Sequence, residues 1–150
     1  MNNKSAIGKW NIGIGLWVMA AFMIYGFVLI YLRDFAPDKE AWIAAYNVSP
    51  HFEARLAHVH GNLFSFLNIV FGFLLVKLPV KASQAKWVSW LALAGLLMPL
   101  GILSEIYLGL PPILVLIGGL SILAATILLG VAVTQMKLQP ALDNQLEKQS

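Results

Sequence analysis

Four long apolar runs alternate with short polar segments along the chain. They cover residues 12–32, 54–80, 87–110 and 112–135 approximately. A hydrocarbon layer of about 30 Å needs about 20 apolar residues in a helix. Lipid also offers backbone N–H and C=O groups no partner outside the chain, so each run must be helical. The pattern predicts an all-α integral membrane bundle of four transmembrane helices, one domain over residues 1–150. The polar breaks carry their own signals. Pro37 and Pro50 bracket the first long connection, Lys77, Pro79 and Lys81 close the second run, and Pro111–Pro112 forces a tight turn before the fourth, because the ring fixes φ and removes a donor. The first run has no small-residue cleavage site after it and reads as a retained helix rather than a signal peptide. Segment 38–46 (DKEAWIAAY) has Trp42, Ile43 and Tyr46 on one side, which suits a short surface helix or an ordered loop equally.

Composition agrees with a bilayer as solvent. Of the 150 residues, 59% are apolar and 11% charged, against about a quarter charged in soluble domains. Mean hydropathy is +0.77. The net charge of +3 does not indicate nucleic acid, because the basic residues flank the apolar runs instead of forming a stripe with interleaved aromatics. Their distribution is a topology signal. Lys4, Lys9, Lys77, Lys81, Lys86, Lys137 and Lys148 fall on one side. Arg33, Lys39 and Arg55 fall on the other, offset by Asp34, Asp38, Glu40 and Glu53. Both termini are therefore expected in the cytoplasm, in a multi-pass protein of a bacterial inner membrane. The absence of cysteine excludes disulfides, thiolate metal sites, iron–sulfur clusters and thioether-linked haem.

Candidate chemistry concentrates in the second run. Its first turns read Ala57-His58-Val59-His60-Gly61-Asn62-Leu63-Phe64-Ser65. At 100° per residue His58, Gly61, Asn62, Ser65, Asn68 and Gly72 share one face about 120° wide. Polar groups in lipid are costly and face a partner, a cavity or a cofactor; the glycines also let helices approach closely. His60 points away from this stripe, so one ion cannot easily take both histidines. His51 belongs to the loop. A divalent-metal site from His51, Glu53, His58 or His60 stays open as a minor reading.

The third run adds Glu105, the only carboxylate inside a predicted span, and Tyr107, both expected at the depth of His58. Glu105 can orient an imidazole by accepting its second N–H, be protonated, or pair with Arg33 or Arg55. Tyr107 can equally be an interfacial aromatic. Pro99 predicts a kink, Gly118–Gly119 a close approach, and Ser121 with Ala125 a small-residue face on the fourth run. No nucleophile elbow, phosphate loop, dinucleotide fingerprint or zinc-protease helix occurs.

The four-span pattern, the entry Ala54-Arg55-Leu56-Ala57-His58 and a tyrosine late in the third run resemble the styrene oxide isomerases. The resemblance implies a membrane-embedded trimer that holds haem b near subunit boundaries, with ferric iron acting as Lewis acid on an apolar epoxide to give an aldehyde or ketone. Carried over, His58 matches the axial ligand and Tyr107 the active-site tyrosine. The family's asparagine falls at Phe64 in an ungapped match; Asn62 takes its role only after local rearrangement. The family's third-span aspartate has no counterpart, since Glu105 is not at its position, and His60 is extra. The expected site is thus Tyr107 and Asn62 as catalytic groups and His58, with His60, Ser65 and Glu105, around the haem. A non-catalytic haem-binding or electron-transfer subunit is the alternative, with His60 as a second axial ligand to a neighbour's haem. A structural accessory subunit, with the polar stripe as helix glue, is the third reading.

Overall fold

The computed structural model describes residues 3–48 and 50–136, with side chains from Ala6 onward. Six α-helices and no strands occur among them. In chain order they are α1 (Asn3–Asp34), α2 (Lys39–Ala44), α3 (His51–Lys77), α4 (Ala82–Gly95), α5 (Leu97–Leu108) and α6 (Ile113–Thr134). Helix α2 is a single short turn-and-a-half. The other five make four helices long and apolar enough to cross a membrane, α4 and α5 forming one interrupted span. Even the shortest, the 22 residues of α6, is about 33 Å long at 1.5 Å per residue.

The helix ends follow local chemistry. Helix α3 starts at His51, three residues before the apolar run, behind Pro50 and with Glu53 in its first turn, where the helix dipole favours a carboxylate. It stops at Lys77 because Pro79 forces the preceding Leu78 into an extended conformation (φ −89°, ψ 148°), as sterics before a proline require. The kink expected from Pro99 is present as a break at Leu96. Pro99 has no N–H for the carbonyl of Gly95, and its ring crowds that carbonyl. Helix α1 begins at Asn3, well before the apolar run, so the polar head is helical. Lys137 and Lys148, counted in the topology argument, lie outside the described residues.

Neighbouring spans alternate in direction. Going up α1, residues 8, 15, 22 and 26 meet residues 72, 65, 61 and 58 of α3, an antiparallel register. On the other side, Gly95 of α4 meets Ile122, Met98 meets Gly118 and Gly101 of α5 meets Val115, so α6 runs antiparallel to the α4–α5 span. The first and last described residues therefore share one end of the bundle, and α2 lies at the other. At the Gly8–Gly72 crossing a Cβ on either residue would come within 2.5 Å of the other's carbonyl oxygen, so the backbones touch there.

The main core lies between α3, α4 and α6 and includes Phe64, Phe71, Leu75, Val88, Ala92, Ile122, Ala125 and Leu129. It is crossed by a polar junction. Asn11 of α1 donates to Asn68 Oδ1 of α3 (3.0 Å) and to the Ser89 carbonyl of α4 (3.1 Å). Asn68 donates to the carbonyls of Phe64 (3.0 Å) and Ala92 (2.8 Å). The Ser89 hydroxyl donates to Asn11 Oδ1. All three side chains are buried and satisfied, which ties three spans together at one level. The outward faces are apolar, with Trp10, Trp17, Phe27 and Leu120 among the most exposed side chains.

Candidate functional site

The polar stripe of α3 divides by depth. Its inner part packs on α1: Ser65 is fully buried and donates to the Gly61 carbonyl (2.6 Å), while its own carbonyl faces Gly15. Asn68 belongs to the three-span junction. Only His58 and Asn62, nearest the α2 end, reach a cavity.

That cavity is a laterally open groove of about 540 Å³ between α1, α2 and the start of α3. Arg33, Trp42, Tyr46 and Arg55 wall its α2 end; Met23, Phe27 and Val59 wall the inner part beside His58 and Asn62. The loop is tied down by α3. His51 Nδ1 bonds the Trp42 carbonyl (3.2 Å) and its ring stacks on Trp42 at 4.8 Å. Segment 38–46 thus forms a short helix, over Lys39–Ala44, with Trp42 buried but Ile43 exposed, because Trp42 is drawn inward onto His51.

His58 is held in one tautomer. Its Nδ1 lies 2.8 Å from the backbone carbonyl of Phe22. A carbonyl only accepts, so Nδ1 carries a proton, and in the neutral imidazole this leaves the lone pair on Nε2. The 3.4 Å approach of Asn62 Nδ2 to the same nitrogen is secondary, since that amide donates to the His58 carbonyl at 2.9 Å. Among the described residues the one buried side-chain polar atom without a partner is Arg55 Nε. No hydrogen bond from the described residues engages Nε2 of His58, and the residue lines the groove. Gly26 makes this possible: a Cβ there would collide with the imidazole, whose atoms are its three nearest neighbours.

Glu105 does not orient His58. The Phe22 carbonyl fills that role, and Glu105, half-buried on α5, makes no side-chain ion pair; the one ion pair among the described residues joins Arg33 to Asp34 (2.7 Å). His60 bonds the Leu56 carbonyl one turn back (2.9 Å) and meets Phe64 edge-on; it is not a wall of the groove. Nor is Ser65. Tyr107 is separated from His58. It is 63% exposed, lines an adjacent recess of about 260 Å³ with His51 and Ile106, and its hydroxyl pairs with that of Tyr25 at 3.0 Å. Leu29 and Trp42 line both spaces and stand between them. The expected common depth does hold, because Tyr25 and Phe22 occupy adjoining turns of α1.

Arg55 is a feature the charge count treats only as an outer cation. Its Nη2 donates to the Tyr46 carbonyl (2.6 Å), and its guanidinium lies 3.4 Å over the Tyr46 ring. Among the described residues it has no carboxylate partner, and its Nε is buried and unbonded. Phe22 and Gly26 were equally invisible as site residues: one acts through its backbone, the other through the side chain it lacks. Among the described residues no group of three or more His, Cys, Asp or Glu comes together as a metal site, so His51, Glu53, His58 and His60 do not converge. No protein-family model, curated protein or solved structure matches the chain.

Proposed function

We propose that this chain is a membrane-embedded haem-b protein with His58 as axial ligand, acting as a Lewis-acid isomerase that converts an apolar epoxide to an aldehyde or ketone. The observation that carries the reading is His58 itself: Nδ1 anchored on the Phe22 carbonyl, Nε2 without a hydrogen bond among the described residues, and the residue in the wall of a groove. A hydrogen bond from the far nitrogen fixes ring orientation and strengthens the donor nitrogen, as at histidine metal ligands generally. The donor set fits the group, since a tetrapyrrole brings its own equatorial nitrogens and asks the chain for one imidazole. The groove volume also falls within the range of about 300–1,000 Å³ usual for small-molecule and cofactor sites.

Haem bound at His58 supplies a Lewis-acidic iron that polarises an epoxide oxygen. The chain's own residues do the rest. Phe22 holds the imidazole proton at Nδ1 and so presents Nε2 as the donor nitrogen. Asn62 has one N–H engaged by the His58 carbonyl, and its second N–H is available to a substrate oxygen. Met23, Phe27 and Val59 exclude water and favour an apolar substrate that enters sideways from lipid. The reading places both termini in the cytoplasm of a bacterial inner membrane, on the lysine distribution, and takes the trimer from the family resemblance.

A non-catalytic haem-binding or electron-transfer subunit is the second reading. It is favoured by Tyr107, which faces the neighbouring recess rather than the groove. A visible spectrum of the detergent-purified protein, with and without dithionite, tests both. Stoichiometric haem that is lost in folded His58→Ala supports the cofactor assignment. Five-coordinate high-spin iron supports the isomerase, and six-coordinate low-spin iron the carrier. A colourless protein that stays colourless after haem is supplied ends both readings.

A further inference from the structure

The groove has a polarity gradient along its length, and the residue at its polar end is incomplete. Arg55 precedes His58 by three residues on α3, so it lies on nearly the same face one turn closer to the α2 end. The Tyr46 carbonyl takes one Nη of its guanidinium and the Tyr46 ring covers one face, while Nε is buried without a partner. Arg55 is half-buried, and among the described residues no carboxylate lies within ion-pair distance of it. Its fork matches a carboxylate, which can accept two parallel N–H bonds. Arg33 on the opposite wall already holds Asp34, so Arg55 is the free cation of the groove.

We infer that Arg55 is the seat of a ligand carboxylate: it binds the propionate edge of the tetrapyrrole whose iron His58 holds. This rests on the haem reading and adds an orientation to it. The macrocycle enters with its apolar edge toward Met23, Phe27 and Val59 and its acidic edge toward Arg55 at the α2 end. Two contacts one helical turn apart then fix both the position of the iron and the rotation of the ring about it.

The test titrates the purified full chain in detergent with three probes: haemin, haemin dimethyl ester, and metal-free protoporphyrin IX. The first has iron and carboxylates, the second iron alone, the third carboxylates alone. Arg55→Gln should weaken haemin and protoporphyrin by about tenfold to a hundredfold, the usual loss for a charge-assisted hydrogen bond, and leave the diester unchanged. His58→Ala should weaken haemin and the diester and leave protoporphyrin unchanged. Arg55→Lys, which keeps charge but not the fork, should fall between. If Arg55→Gln does not fold, the wild-type preference for haemin over its diester carries the test. Equal wild-type affinity for the two overturns the inference, as does a preference that survives in folded Arg55→Gln. Stoichiometric displacement of protoporphyrin by an anionic phospholipid would assign Arg55 to a headgroup and overturn it too. Arg55-dependent protoporphyrin binding without any effect of His58→Ala on haemin would instead sink the haem-ligand reading and leave the carboxylate seat standing.

Discussion

Replacing Gly26 by alanine perturbs the geometry of His58 at the other side of the contact. The added Cβ would fall on the imidazole Cε1, with Nδ1 and Nε2 each at 3.1 Å. The ring must leave the Phe22 carbonyl or α1 must move away from α3. Overpacking of this kind costs about 1–3 kcal/mol, and the lost hydrogen bond lies within that range. Against it stands the gain of alanine over glycine in a helix interior, about 0.5–1 kcal/mol. Wild-type background should thus show a net loss of up to about 2 kcal/mol. In a His58→Ala background the obstacle is gone, and the same substitution should stabilise by about 0.5–1 kcal/mol. The double-mutant cycle isolates a coupling of about 1–3 kcal/mol between the positions. Reversible unfolding in mixed micelles titrated with dodecyl sulfate, followed by far-ultraviolet circular dichroism, reads all four proteins. A coupling indistinguishable from zero would mean that α1 does not press Gly26 against His58, and the fixed tautomer would lose its basis. Haem affinity measured on the same set should fall in Gly26→Ala with the iron still bound by imidazole.

Three further outcomes follow from contacts elsewhere in the bundle. Asn11→Ala leaves Asn68 Oδ1 and the Ser89 hydroxyl without their partner at a buried junction, and should cost about 1–3 kcal/mol in the same unfolding assay; a loss below a few tenths would show that the junction is wet. Trp42→Ala removes a buried ring that stacks on His51, so limited proteolysis should cut the 35–50 connection faster while cleavage elsewhere stays unchanged. Tyr107→Phe breaks the Tyr25 hydroxyl pair at about 0.5–1.5 kcal/mol and leaves haem content intact. If that variant also isomerises epoxide as fast as wild type, Tyr107 is not a catalytic residue.

The spans were legible because hydrocarbon imposes one requirement, length of apolar helix, and that requirement is written in composition. Their ends moved outward, to Asn3 and to His51, because a helix satisfies its own backbone in water as well as in lipid and need not stop where apolar residues do. The site was only half legible. Periodicity put His58, Asn62, Ser65 and Asn68 on one face, and that face is indeed where α1 and α4 meet α3. Periodicity cannot say which members of a polar face find partners, and the answer differs residue by residue. Asn68 meets Asn11 from a segment that reads as polar head. Ser65 turns back on its own helix. His58 meets a carbonyl, which has no sequence signature. Glu105 illustrates the opposite failure. A lone carboxylate in a span invites a role beside the nearest histidine, yet similar depth does not imply contact between α3 and α5 side chains.

The contrast between Asn68 and Arg55 is what separates framework from site in this bundle. Both are polar groups that a low-dielectric setting penalises unless paired. At the inner level the chain supplies every partner from within: each side-chain N–H and oxygen of Asn11 and Asn68 is matched. At the α2 end the chain supplies only part of what its polar groups require. Tyr46 satisfies part of Arg55 and Phe22 one nitrogen of His58, and both residues line a groove whose inner walls, Met23, Phe27 and Val59, are apolar. A half-buried guanidinium whose partners are one carbonyl and one ring keeps donors that an anion can still use. The two incomplete groups sit one helical turn apart, one a cation and the other a neutral nitrogen donor. An occupant that completes both carries an acid and a metal on one apolar body, which is a narrower specification than either residue gives alone.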